Sequence, residues 1–340
     1  MRKPLLVTDG GLVHTPVFES IRKLVPHAPV FSGVDPNPTE KNVLDGAAYY
    51  KAHDCDSIAG IGGGSALDAA RAIRLKATHC LDLAEYDDIV DGATKITANL
   101  PRYIAIPTTA GTGSEVGRSA VITIAATNRK TVIFSPYLIP DLAIADPALT
   151  ATMPPGLTAG TGMDAFTHNV EAYLAKCFHP ICDAIALGGA RIVYQHLPRV
   201  MRDPNDIASR GQMMVAAMMG AIAFQKGLGA VHSLAHPLSS EFGMHHGVTN
   251  AVLLPIVLEF NRDAVPDRFR QLEHCLGKDV AECTRELNRI CEIQPRLRDY
   301  GIPEAALPAL ADKALQDGCH ASNPRPCTRD VLLSLYRQAW

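Results

Sequence analysis

The stretch GAVHSLAHPLSSEFGMHHGVTN, from Gly229 to Asn250, carries His232, His236, His245 and His246, four of the thirteen histidines in the chain. His232 and His236 are four residues apart, so on a helix they share one face. The segment TAGTGMDAFTHNVEAYL repeats that spacing with Asp164 and His168. One carboxylate and three imidazoles make a four-ligand set for a divalent cation such as Fe²⁺ or Zn²⁺. The spacing nominates Asp164, His168, His232 and His246 as ligands. His246 precedes Gly247 and falls past the expected end of the His232 helix, so a loop must bring it back. His236, one turn from His232, is placed beside the metal and left to carry a proton. The competing reading is a set of core or surface histidines with ordinary hydrogen-bond partners. Four histidines in fifteen residues, with an Asp-x-x-x-His helix elsewhere, argue for metal.

Two glycine-rich loops offer a second chemistry. IAGIGGGSALDAARAI sets Gly62, Gly63, Gly64 and Ser65 between an expected strand and an expected helix. Glycines let backbone amides approach a ligand closely, and a helix N-terminus favours anions, so a pyrophosphate fits there. The plainer alternative is a tight turn with Ser65 as N-cap. In IPTTAGTGSEVGRS, Thr108, Thr109, Thr112 and Ser114 supply hydroxyls. Two such loops at neighbouring strand ends suit a nucleotide in the crevice outside a parallel sheet. Asp9, in LLVTDGG, is positioned to accept from a ribose diol, or else to cap a turn before Gly10 and Gly11.

The elements that must position these groups read in two halves. Short apolar runs at Leu5–Thr8, Ile58–Ile61, Tyr103–Ile106, Ala120–Ile124, Thr131–Phe134 and Ala143–Ala145 alternate with helical patterns at Asn42–Lys51 and Ala66–Lys76. That alternation predicts a parallel α/β sheet. Pro154 and Pro155 mark a break. Beyond it the periods are helical: Thr158–Leu174, Cys182–Val200, Ile207–Gln225, Ala230–Glu241, Asn250–Phe260, Asp279–Asp299, Glu304–Asp317 and Arg329–Ala339. The expected layout is an α/β nucleotide-binding domain over 1–155 and an all-α metal-binding domain over 156–340.

Composition is compatible with this. The 340 residues are 47% apolar and 20% charged, with a net charge of −3. A slight acidic excess gives no reason to expect nucleic acid or an anionic membrane as partner. No run approaches the roughly 18 consecutive apolar residues of a membrane span, and the apolar part of MRKPLLVTDGG is too short for a signal peptide. Nine cysteines occur without a Cys-x-x-Cys pair, which argues against a zinc ribbon and fits reduced thiols in a cytoplasm.

Taken together, GGGSALDAAR, PTTAGTGSEV, TAGTGMDAFTHNVEAY, GAVHSLAHPLSSEFGMHHGVTNAVLLP and the earlier GVDPNPTEKNV closely resemble, in order and spacing, the motifs of the iron-containing, group III alcohol dehydrogenases. The resemblance implies a Rossmann-like NAD(P) domain followed by an all-helical metal domain, the dehydroquinate synthase-like architecture. It maps Asp164, His168, His232 and His246 to the family's metal ligands and His236 to its non-ligand histidine near the nicotinamide. It maps Asp9 to the aspartate associated with preference for NAD over NADP. Asp68 and Lys130 join the two glycine-rich loops in the cofactor-binding set. The resemblance also implies a homodimer or larger homo-oligomer built through the N-terminal domain, a region shorter here than in the family. Further departures are Arg71 for a usual lysine, Gln225–Lys226 for asparagine–alanine, and Gly117–Arg118 after SEV.

The implied activity is reversible alcohol oxidation and aldehyde reduction with NAD(H) and a divalent metal, Fe²⁺ before Zn²⁺. Arg118 and Lys226, charged where the family is usually uncharged, are candidates to hold an anionic substrate tail; the plainer reading is that both point to solvent or pair with nearby acids such as Glu115. The rivals are a maleylacetate reductase-like enzyme, whose relatives lack the full ligand set, a glycerol dehydrogenase-like enzyme, and a non-catalytic nucleotide-binding paralogue.

Overall fold

The structure, a computed structural model, describes residues 1–127 and 129–340. It divides into two compact units: residues 1–109 with 114–152, and residues 110–113 with 153–340. The chain passes from one to the other at the proline-marked break, and the short stretch Ala110–Gly113 belongs to the helical unit.

The first unit contains strands β1 (Pro4–Asp9), β2 (Val30–Val34), β3 (Ser57–Gly62), β4 (Arg102–Pro107), β5 (Ser119–Ile124), β6 (Arg129–Phe134) and β7 (Leu142–Ala143), with helices α1 (Pro16–Arg22), α2 (Glu40–Ala52) and α3 (Gly64–Thr78). Five strands form one parallel sheet in the order β2-β1-β3-β4-β7. Residues along a strand alternate faces. Leu5, Val7 and Ile58 enter one core, while Leu6, Ala59 and Ile61 enter another with Phe18. Because both faces are covered, the strands read as unbroken apolar runs. The chain leaves β1 toward β2 on one side and returns to β3 on the other. That reversal is a topological switch point, and the crevice outside the carboxyl ends of such strands is where open α/β sheets bind ligands.

Two expectations need correction here. β5 and β6 do not join the parallel sheet but pair antiparallel with each other. From Ile124 to Arg129 there is no room for the crossover helix that a parallel pair requires. β2 was not expected at all; its sequence, VFSGV, has a partly exposed edge position and no long apolar run.

The helical unit contains α4 (Pro155–Leu174), α5 (Pro180–Arg202), α6 (Ile207–Ala223), α7 (Ala230–Phe242), α8 (His246–Asn261), α9 (Pro266–Leu276), α10 (Val280–Ile290), α11 (Leu307–Gln316) and α12 (Arg329–Ala339). One large apolar core draws on all of these helices. α4 is buried from Thr158 to its end. The segment Ile207–Lys226 is long and apolar enough to cross a membrane by composition, and half of it is buried within the unit. The helix expected over Asp279–Asp299 is broken. α10 stops at Ile290, Glu292 takes a left-handed φ of 55°, and a separate turn covers Leu297–Tyr300. α1 and α9 were not expected, although Phe269, Leu272 and Leu276 form the buried stripe of α9.

Candidate active site

Three helices of the second unit bring the expected ligands together. Asp164 and His168 stand one turn apart on buried α4. His232 lies in the first turn of α7, and His246 is the first residue of α8. Gly243, at φ 66°, ends α7 in the left-handed conformation that glycine adopts without strain, and the chain turns back there. Gly247 explains the glycine after His246. A Cβ there would stand 1.9 Å from the Gly160 carbonyl oxygen, so only glycine lets α8 dock on α4 closely enough.

The ligand atoms of Asp164, His168 and His232 lie within 4.8 Å of one another. His246 Nε2 is 3.5 Å from Asp164 Oδ1, and His168 Nε2 is 3.7 Å from it. The His168 and His232 rings stack at 4.8 Å. Asn250, one turn after His246, shows where the lone pairs point. Its Nδ2 is 2.9 Å from Asp164 Oδ1, 3.4 Å from His232 Nε2 and 3.3 Å from His246 Nε2. Three acceptor atoms on three helices thus converge on one positive pole. Burial pushes His168 down to about 4, so near neutral pH it carries the lone pair that metal ligation needs. For His232, burial works the same way, but the hydrogen bond and charge of Glu171 outweigh it and raise the ring. A carboxylate and three convergent imidazoles, buried except for the partly exposed His246, fit a divalent cation of the Fe²⁺ or Zn²⁺ kind.

Two residues of this site were missed in the sequence. Asn250 is one. The other is Glu171, whose Oε2 accepts from His232 Nδ1 at 2.6 Å and fixes Nε2 as the ligating atom. Glu171 lies seven residues after Asp164 on the same helix face, which is the only signal the sequence held. His236 stays outside the ligand set. Its ring stacks on that of His246 at 5.2 Å, and Nδ1 is 2.7 Å from Asp317 Oδ2.

In the first unit, Asp9 ends β1 and Gly62–Ser65 end β3, one on each side of the switch point. Gly62 has φ 147°, and a Cβ there would meet Ala66 Cβ at 2.7 Å. α3 starts at Gly64 with Gly63 as N-cap and no side chain capping it, so first-turn amides are left for an anion. Ser65 is therefore not the N-cap; its hydroxyl donates to the Pro36 carbonyl. Asp9 Oδ1 accepts from the Gly11 and Leu12 amides at 2.9 and 2.8 Å, and Oδ2 lies 3.5 Å from where a Gly62 Cβ would stand. Oδ1 therefore caps the turn that follows β1. Thr108 donates its amide to Gly62, and the Thr109 side chain lies 3.3 Å from the Cβ position of Gly63. Thr112 sits in the stretch that belongs to the helical unit.

Four other candidates are placed differently. Asp68 and Ser114 serve the protein itself. Ser114 Oγ donates to Asp68 Oδ1 at 2.7 Å, the Val121 amide donates to Oδ2 at 3.0 Å, and Arg71 binds both residues. They tie the second loop to α3. Lys130 lies in the same neighbourhood, its pKa lowered by burial against the pull of Asp68. Arg118 rests its guanidinium over the Phe134 ring at 4.7 Å.

Lys226 is not a substrate group. It is buried, and its ammonium is held by the Asp183 carboxylate and, at 3.0 Å, by the Tyr173 carbonyl. Arg268 joins the same two partners. The pair satisfies the Tyr173 carbonyl at the C-terminus of α4, where cations belong. Lys226→Met is expected to cost about 2–4 kcal/mol of stability by leaving Asp183 partly unpaired. It should lower turnover of acid-tailed and neutral aldehydes equally. A selective loss on the acid would restore Lys226 as a substrate contact; thermal melting and paired kcat/KM values decide.

The chain is similar to known proteins over nearly its whole length. The family description "Iron-containing alcohol dehydrogenase" matches residues 1–147, and "Fe-containing alcohol dehydrogenase family, C-terminal" matches residues 158–340. A 4-hydroxybutyrate dehydrogenase of Cupriavidus necator is 42% identical over 342 residues, covering 96% of this chain and 89% of its own length. A solved 1,3-propanediol oxidoreductase matches with a TM-score of 0.94 at 37% identity, covering 99% of this chain and 92% of that one. A sulfoacetaldehyde reductase from Bifidobacterium kashiwanohense, solved in complex with NAD⁺, matches with a TM-score of 0.90 at 29% identity, over 99% of this chain and 90% of that one. The chain belongs to the iron-containing alcohol dehydrogenase family.

Proposed function

We propose that the protein is a metal-dependent, NAD(H)-linked alcohol dehydrogenase that interconverts a small primary alcohol and its aldehyde. The observation that carries this is the convergence of Asp164, His232 and His246 on the amide of Asn250, with His168 beside them. When bound, a divalent cation, Fe²⁺ by family, supplies Lewis acidity toward the substrate oxygen, and the nicotinamide accepts or gives hydride. The four ligands hold the cation, and Glu171 keeps His232 turned toward it. Phe224, its ring 5.0 Å from that of His168, packs apolar surface against that ligand. His236 moves the proton to or from the substrate oxygen.

In the first unit, a carboxylate fixed at the end of β1 accepts from a ribose 2′-OH and repels a 2′-phosphate. NADH is therefore expected to exceed NADPH in kcat/KM by about tenfold or more, roughly 1.4 kcal/mol. Asp9→Gly should narrow that ratio. Equal use of both coenzymes by the wild type would remove Asp9 from this role.

The finer substrate class is an aldehyde with an anionic tail. The Cupriavidus relative is named for 4-hydroxybutyrate and the Bifidobacterium structure for sulfoacetaldehyde, and those two names support this reading. The test of the whole reading is metal analysis together with NADH oxidation over a panel containing propanal, butanal and succinic semialdehyde. A metal-replete protein that binds NADH yet turns over none of them would overturn it. A preference for butanal over succinic semialdehyde would overturn the acid-tail reading alone.

A further inference from the structure

Asp317 follows His236 by 81 residues and opens the short turn Gly318–Ser322 after α11. Nothing in its local sequence assigns it to chemistry, yet it is tied directly to His236, the non-ligand histidine one turn from His232. Its Oδ2 accepts from His236 Nδ1 at 2.7 Å. Its Oδ1 accepts from the Ser233 hydroxyl at 2.8 Å and from the Cys319 amide at 2.9 Å. Ser233 in turn accepts from the His320 amide at 2.8 Å, so the backbone of the turn and the side chains of α7 hold the carboxylate from two sides. Burial opposes its ionisation, but the hydrogen bonds it accepts from His236, the Cys319 amide and the Ser233 hydroxyl outweigh that and hold the carboxyl well below the usual range.

An ionised carboxylate is an acceptor only. Nδ1 of His236 must then carry the hydrogen of that bond, and the neutral ring presents its lone pair at Nε2. The ring has little freedom to turn. It lies parallel to His246 at 5.2 Å and edge-on to His232 at 6.0 Å. A ring flip would break the bond to Asp317 and turn the other nitrogen outward.

We infer that Asp317 is a positioning residue: it fixes the orientation and tautomer of His236, so that Nε2 is the atom exchanging a proton with the substrate. In oxidation the substrate O–H bond breaks as an N–H bond forms at Nε2, while the hydride goes to NAD⁺. The resulting imidazolium is stabilised by the Asp317 charge at Nδ1. In reduction the same proton returns to the oxygen as NADH gives its hydride. This rests on the proposed role of His236 and adds the group through which that role is imposed.

The test uses the metal-loaded full chain and whichever panel aldehyde the wild type reduces fastest. His236→Ala, Asp317→Asn and the double variant are compared for kcat, KM for NADH, metal per subunit and melting temperature. Asn at 317 offers an amide that can hold the ring in the other tautomer. Its kcat is expected to fall about 100-fold, within the range of a lost acid–base group, with KM for NADH, metal content and melting near wild type. The double variant should be no slower than His236→Ala alone, because residues that act as one unit are not additive. Losses that multiply in the double variant would overturn the inference. So would an Asp317→Asn enzyme within about threefold of wild type while His236→Ala is crippled. A His236→Ala enzyme with wild-type kcat would instead overturn the role of His236 itself. Should Asp317→Asn fold poorly or lose metal, Asp317→Glu carries the test: a fall in kcat that vanishes in the His236→Ala background supports the inference, and an equal fall in both backgrounds overturns it.

Discussion

The His232→Ala/His246→Ala enzyme is expected to purify with almost no metal and to lose at least about a thousandfold in kcat/KM, roughly 4 kcal/mol of transition-state stabilisation. The two substitutions remove two of the three acceptor atoms that converge on Asn250. What remains, Asp164 and His168, is one turn of a single helix and cannot enclose a cation. A second consequence follows from linkage. A cation that binds only the folded chain stabilises it in proportion to occupancy, so the double variant should melt below the wild type in excess Fe²⁺ and much nearer to it after chelation. The wild type should lose activity to a chelator and regain it with Fe²⁺. Elemental analysis and initial rates measure both. Full metal occupancy in the double variant would place the cation elsewhere.

How much of this could be read from the sequence depended on how local each relationship was. Asp164 with His168, and His232 with His236, are i,i+4 pairs, and the helix period alone puts each pair on one face. The glycines at 62–64 announced a strand-to-helix turn because a side chain at Gly62 collides with Ala66. The readings that failed involve partners distant in the chain. Lys226 looked like a stray charge beside the histidines, and only the fold shows Asp183 and the Tyr173 carbonyl around it. Asp68 on α3 and Ser114 in the second loop stand in segments with cofactor-binding composition, but Arg71 and Val121 bond to their polar atoms. β5 and β6 have the same apolar runs as the parallel strands, and only their connection distinguishes them. Asp317 is separated from its histidine by the second half of α7 and by helices α8 to α11, so no window of sequence could have joined them.

Glu171→Gln is expected to weaken metal binding by 10- to 100-fold, the usual cost of losing a partner that orients a metal-bound histidine. The size follows from what the carboxylate does. Glu171 is 4% exposed and only accepts. Oε2 takes His232 Nδ1 at 2.6 Å and the Gly229 amide at 3.2 Å, and Oε1 takes the Val231 amide at 2.7 Å. It therefore caps the start of α7 and orients the ligand on that helix at once, and a side chain at Gly229 would strike it at 2.6 Å. Glutamine has one acceptor oxygen for these three donors. If its NH₂ faces Val231, a buried backbone N–H loses its partner at a cost of about 1–3 kcal/mol. If it faces His232, the ring can hold a hydrogen bond only by accepting at Nδ1, which moves its own hydrogen to Nε2 and removes the lone pair from the metal. Both orientations are penalised, and they separate experimentally. The first lowers the melting temperature of the chelated protein while sparing metal affinity. The second leaves the chelated protein near wild type and raises the metal Kd in a chelator competition. A variant unchanged in both measurements would mean that neither the cap on α7 nor the tautomer of His232 depends on the Glu171 charge.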